Sequence, residues 1–130
     1  MYKRKHIKYK AVFKQNGQTD TIEYNEIGVL FIGDVVRLNF EVEGTTIDIS
    51  YKDKDIILKN GNSLLKLNRD HDTWNDYQLP YGSVPLKTRV YSFEANEDRI
   101  KLKYELYDQH SLISTVYMMI QMIPVSVENV

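Results

Sequence analysis

Asp70, His71 and Asp72 stand side by side, just ahead of the chain's single tryptophan, Trp74. Carboxylates around an imidazole are the raw material of a metal site. In an extended segment, however, neighbouring side chains point to opposite sides, so only Asp70 and Asp72 share a face. A closed structural metal shell takes about four ligands, and the other histidines, His6 and His110, are remote in the sequence. We therefore expect a solvated loop here, with no metal and no cofactor. Trp74, Tyr77 and Tyr81 offer a different chemistry. Each joins a large apolar body to a polar tip, which suits the lid of a ligand pocket and equally suits a plug or a clamp. Tyr51 and Tyr104, with Tyr9 and Tyr24, fall at apolar positions of alternating segments. Their hydroxyls need partners once buried; another tyrosine, water, Thr88 or a bound polar group would serve. Arg89 would hold an anionic head group if its strand carries it to the rim of such a pocket.

Catalytic sets are missing. Ser83, Ser92, Ser111 and Ser114 have no nucleophile-elbow motif around them. The six glycines form no phosphate-cradling loop, and no carboxylate pair is marked out for glycoside chemistry. There is no cysteine, which removes thiol nucleophiles, thiolate metal sites and disulfides. We assign no catalytic residue.

The elements that position these residues follow from the rest of the chain. Its 130 residues fit one domain, residues 1–130. Apolar residues make up 42% and charged residues 27%, an ordinary globular balance. The formal charge of -1 gives no long-range pull toward nucleic acid or an anionic membrane, so none is expected without a local patch. No apolar run approaches the roughly 20 residues of a spanning helix. The lack of cysteine and of an apolar leader points to the cytoplasm. The basic run Lys3, Arg4, Lys5, His6, Lys8 and Lys10 reads mainly as the solvated face of a first strand, where lysines discourage stray sheet pairing.

Period-two alternation runs almost throughout. Ile7, Tyr9, Ala11 and Phe13 alternate with polar residues and stop at Asn16-Gly17, a hairpin signal. Ile22 and Tyr24 mark a second strand over 19–26, and 29–32 is a short apolar segment of its own. Val36, Leu38, Phe40 and Val42 alternate cleanly, then Ile47, Ile49 and Tyr51. Short strands flank a second Asn-Gly pair at Asn60-Gly61. The polar stretch 69–80 reads as a long connection, and long loops in compact domains are often functional. Three more strands follow, carrying Val84, Leu86 and Val90, then Ile100, Leu102, Tyr104 and Leu106, then Val116, Met118, Ile120 and Met122. No segment has helical periodicity. About eight to ten strands joined by short turns, each with one apolar face, predict an all-β domain: a single antiparallel up-and-down barrel rather than a sandwich. The inward face contains no charged residue in this reading.

The order of these segments resembles the YwiB-like bacterial family, a domain of unknown function with a calycin, lipocalin-like β-barrel. The resemblance rests on residues 28–41 with Gly33-Asp34, on 55–61 ending in Asn60-Gly61, on 79–88 with Tyr81-Gly82, and on the final strands 100–106 and 115–123. Lys59 departs from the family pattern, which favours an arginine there. The resemblance implies a barrel in a bacterial cytosol and implies no activity. Two functions remain open. One is a non-catalytic binding module taking a small, mostly apolar ligand at the barrel mouth, through Trp74, Tyr77, Tyr81, Arg89, Tyr104 and Tyr51. The other is a protein-interaction or structural domain whose barrel is filled with side chains.

Overall fold

Alternation of apolar and polar residues becomes strand wherever it occurs. The computed structural model describes residues 1–125. It holds ten strands and, among those residues, no helix: β1 (Tyr2–Gln15), β2 (Gln18–Phe31), β3 (Val36–Val42), β4 (Thr45–Lys52), β5 (Asp55–Asn60), β6 (Ser63–Asn68), β7 (Thr73–Leu79), β8 (Gly82–Ala95), β9 (Arg99–Tyr107) and β10 (Leu112–Pro124). The hydrogen-bonded order is β6-β5-β4-β3-β2-β1-β10-β9-β8-β7, antiparallel throughout. The sheet curls until β6 meets β7, giving a nearly closed barrel. Positive φ at both Asn16 (50°) and Gly17 (77°) gives the β1–β2 turn the hand that right-twisted strands require, and Glu43 (51°) and Gly44 (82°) repeat it between β3 and β4.

The core is the inward row of each strand. Ile7, Leu30, Leu38, Phe40, Ile49, Ile56, Leu67, Ile100, Leu102, Val116, Ile120 and Met122 are all buried. Ile22 was expected with them but is exposed, because only the Gly28 end of β2 pairs with β3 and the Ile22 end outruns it. Three further expectations need correction. The separate segments 19–26 and 29–32 are one continuous strand, β2. Lys5 shares the inward face with Ile7 and is only 3% exposed, so the inward row of β1 includes a basic residue. The stretch 69–80 is not a long loop: most of it is β7, in register with β8 from Thr73 opposite Thr88 to Leu79 opposite Gly82.

That strand closes the barrel. Among the described residues no backbone ladder joins β6 to β7. The Asn75 side chain stands in for one: its Oδ1 accepts from the Lys66 backbone N–H at 2.7 Å, and its Nδ2 donates to the Lys66 carbonyl at 2.9 Å. Thr88, in β8, adds a hydroxyl donating to the same carbonyl at 2.9 Å. The end of the barrel holding the β4–β5 and β8–β9 turns is filled. There Tyr51 meets Phe93 edge-on with ring centroids 5.2 Å apart, and the Arg69 guanidinium lies 5.4 Å from the Phe93 ring centre.

Candidate functional site

The other end, where β1–β2, β3–β4 and β5–β6 turn, is not filled. A cavity of about 250 Å³ opens there. Its long wall carries Tyr9 and Phe13 from β1, Tyr24 from β2, Tyr104 from β9 and Met118 from β10; its short wall carries Ile47, Ile49, Leu58 and Leu65. Tyr77 and Leu86 close the side next to the seam, and Lys59, Asn60 and Ser63 stand at the rim. The void follows from strand lengths. β1 and β2 run 14 residues each, whereas β5 and β6 run six, so the short wall does not cover the long one.

Four tyrosines share this space. Tyr9 and Tyr24, cross-strand partners, stack with ring centroids 5.4 Å apart. None of the hydroxyls of Tyr9, Tyr24, Tyr77 and Tyr104 is hydrogen-bonded to another group among the described residues. Burial, and then the neighbouring Tyr24 phenol, pushes Tyr9 up to about 12. Burial raises Tyr104 further, with Tyr9 and Tyr77 adding to the effect. Tyr51, at the filled end, is raised by burial. Tyr9, Tyr51 and Tyr104 are therefore neutral hydrogen-bond donors at ordinary pH.

Folding favours the neutral phenol when the folded pKa lies above the unfolded value. That stabilisation is complete below the ordinary tyrosine value of 10.0 and is lost as pH climbs toward about 12. An alkaline titration followed by tyrosine absorbance should resolve a late-ionising class containing Tyr9 and Tyr104. Denaturant midpoints should fall across the same window. Removing two late-ionising groups in Tyr9→Phe/Tyr104→Phe should flatten that fall; an unchanged pH profile in the double variant would refute the assignment.

The six residues expected at a site are dispersed. Tyr77 and Tyr104 line the cavity. Tyr81 sits at the tip of the β7–β8 turn, 85% exposed. Tyr51 packs on Phe93 at the opposite end. Trp74 lies on the outer wall, 54% exposed, with the Lys87 ammonium 5.8 Å from its ring centre; it is no lid, because its neighbour Asn75 takes the inward position. Arg89 does not reach the rim either. Thr88 and Val90 face inward, so Arg89 faces out, where it donates two hydrogen bonds to Asp72 at 3.0 and 2.9 Å. This bidentate contact is the main cause holding the Asp72 carboxyl below the usual range. Asp70 stands 3.8 Å from Lys54. Among the described residues no three His, Asp or Glu side chains come close enough together to hold a metal ion.

Sequence reasoning placed Tyr9 and Tyr24 inward, among the tyrosines whose hydroxyls could meet a ligand, but it missed Lys59, Asn60 and Ser63. The available signal was the Asn60-Gly61 hairpin, whose short arms leave the taller wall uncovered. Apart from tyrosines, Lys59 is the only ionisable residue lining the cavity among the described residues. The site combines tyrosine hydroxyls and the Lys59 side chain with apolar walls.

The model of a family described as a domain of unknown function (DUF1934) matches residues 7–120. Among solved structures, the crystal structure of the ywiB protein from Bacillus subtilis superposes with a TM-score of 0.73, covering 93% of this chain and 92% of that one at 15% sequence identity. At that identity the likeness is one of fold. No curated protein matches the chain. With the family model spanning most of the barrel, from Ile7 in β1 to Ile120 in β10, the chain belongs to the DUF1934 family.

Proposed function

We propose that the protein is a non-catalytic binding module whose open mouth takes a small, mostly apolar ligand with a hydrogen-bond-accepting group. The observation that carries this reading is the set of four tyrosine hydroxyls in the cavity with no protein partner. The hydroxyls are not sealed from solvent; through the open mouth they meet water, and a ligand acceptor would replace that water. Size limits the occupant. A cavity of about 150 Å³ takes benzene, so about 250 Å³ holds on the order of ten non-hydrogen atoms by the same measure. The same reading sets the module in a bacterial cytoplasm, which the cysteine-free sequence supports.

Two experiments test it. Native mass spectrometry of the full chain purified from its source should retain a small molecule. Titration with acetophenone, an apolar ring bearing one carbonyl acceptor, should shift the Met118 methyl resonance. Leu86→Phe, which fills the cavity, should weaken that binding about tenfold, roughly 1.4 kcal/mol, and Tyr104→Phe should weaken it less. A bare mass together with an unmoved Met118 resonance at millimolar acetophenone would sink the proposal and favour the filled-barrel, protein-interaction reading.

A further inference from the structure

The outer wall formed by β8, β9, β10 and β1 carries a second arrangement, unconnected with the cavity. Strand register sets Val12 opposite Tyr117, Tyr117 opposite Lys103, and Lys103 opposite Ser92. One row away it sets Lys10 opposite Met119 and Met119 opposite Lys101. The register of β8 slips between Val90 and Ser92. The slip leaves Tyr91 as the extra residue, 54% exposed on this wall. Between these rows runs a surface groove of about 400 Å³, lined by Lys10, Lys101, Lys103, Tyr117 and Met119.

Cations and rings alternate across it. The Lys103 ammonium lies 5.3 Å from the Tyr91 ring centre and 5.0 Å from that of Tyr117, and Lys14 lies 5.2 Å from the Tyr117 ring centre. Among the described residues Lys14, Lys101 and Lys103 form no ion pair, and Lys10 has only a long contact to Glu23 at 3.9 Å. Carboxylates border the groove, with Glu23 the register partner of Lys10. Glu94 is the register partner of Lys101, Glu105 accepts from the Tyr107 hydroxyl, and Asp72 is held by Arg89 and Lys87. Three lysines and Tyr117 thus line the groove, and Lys14 and Tyr91 flank it through their contacts with Tyr117 and Lys103, which makes four lysines and two exposed tyrosines in all. The net charge of -1 averages this local patch away.

We propose that this groove binds single-stranded nucleic acid. The lysines neutralise backbone phosphates, and Tyr91 and Tyr117 offer ring faces on which successive bases stack, the pairing of charge and aromatic platform that sequence-tolerant single-strand binders use. A duplex hides its base faces, so it fits the lysines and not the tyrosines. A membrane surface asks for protruding apolar anchors, whereas this site is recessed.

The test is fluorescence anisotropy of the full chain with a labelled oligothymidylate of about 15 nucleotides. Binding should weaken with salt, with a log–log slope of about -2 to -3 for four lysines. Lys101→Glu/Lys103→Glu should lose at least about tenfold in affinity, whereas Lys52→Glu/Lys54→Glu, the same charge change at the filled end, should lose far less. Tyr91→Ala and Tyr117→Ala should each lose several-fold, and circular dichroism will show whether each variant keeps its fold. An abasic strand of equal length should bind more weakly than the thymidylate. Equal binding of the abasic strand, binding of anionic phospholipid vesicles in preference to the oligonucleotide, or no binding at low salt would each overturn the proposal.

Discussion

Gly28→Ala should destabilise the barrel by about 1–3 kcal/mol, the range for overpacking a packed site. For a domain of this size, that lowers the melting temperature by on the order of 10 °C. A methyl group at position 28 would sit 2.6 Å from the Asn39 carbonyl oxygen, 2.9 Å from Cγ1 of Ile7 and 3.0 Å from Cβ of Phe40. The first of these is backbone, so no rotamer change relieves it. The location makes the cost larger. Gly28 begins the pairing of β2 with β3, a ladder of only four residue pairs from Gly28–Phe40 to Phe31–Arg37. Here the chain leaves the tall wall and enters the short one, and a strand turning such a corner brings two backbones close together. Gly44→Ala makes the control, since its added carbon meets nothing within 4 Å although its φ of +82° still strains it. Thermal melts of the two variants separate collision from backbone strain. Equal losses would show that close approach is not what position 28 demands.

Asn75→Leu should cost about 2–3 kcal/mol in denaturant unfolding, the sum of a lost hydrogen-bond pair and an orphaned donor. Leucine matches asparagine in bulk but leaves the Lys66 N–H without its acceptor, while Thr88 still serves the Lys66 carbonyl. Asn75→Asp is the sharper probe. At neutral pH its carboxylate keeps the bond to the Lys66 N–H but places a negative charge against the Lys66 carbonyl, in a site only 7% exposed. The aspartate variant should therefore be less stable than the leucine variant at pH 7. It should regain stability as pH falls through its raised carboxyl pKa, because folding then favours the protonated form, whose hydroxyl can donate to that carbonyl. Hydrogen exchange at the Lys66 amide should accelerate in both variants ahead of amides in β1. If that amide stays as protected as before, Asn75 is not the seam's closing group.

The same residue explains where sequence reading stopped. β3 was legible because every inward position, Val36, Leu38, Phe40 and Val42, is apolar and every outward one is polar. β7 was not legible because its inward residues include Thr73, whose buried hydroxyl has no partner among the described residues, and Asn75, which is polar for a reason that lies outside the strand: it faces an edge that has no ladder. Periodicity records burial in oil, and it is blind to burial in a hydrogen-bond seam. Lys5 misled in the opposite sense. It stands in step with Ile7 and Tyr9, yet its charge assigned it to the outside; its strand carries it inward near the filled end, where Lys3 pairs with Glu97 at 2.7 Å. The cavity was half legible. The tyrosines that line it sit at readable inward positions, but whether they pack or stand apart depends on the unequal heights of two walls, a relation between distant segments. Trp74 and Arg89 drew attention through residue type alone, and strand parity set both on the outer wall.

The position of β1 between β2 and β10 also governs how the chain must assemble. Every other neighbour in the sheet is a neighbour in sequence, so β1 to β6 and β7 to β10 can each pair by zipping successive hairpins, each closing a short loop. The β1–β10 ladder alone joins the two extremes, matching Ile7 with Met122 and Phe13 with Val116. Its ten residue pairs carry nearly all the long-distance ordering in the topology, and loop closure over that span precedes any reward from the contacts. During synthesis β1 can find β2 early, but its other edge stays bare until β10 leaves the ribosome. The barrel is therefore completed late and in one step, and until then β1 is an exposed edge that its alternating lysines keep from pairing with other chains.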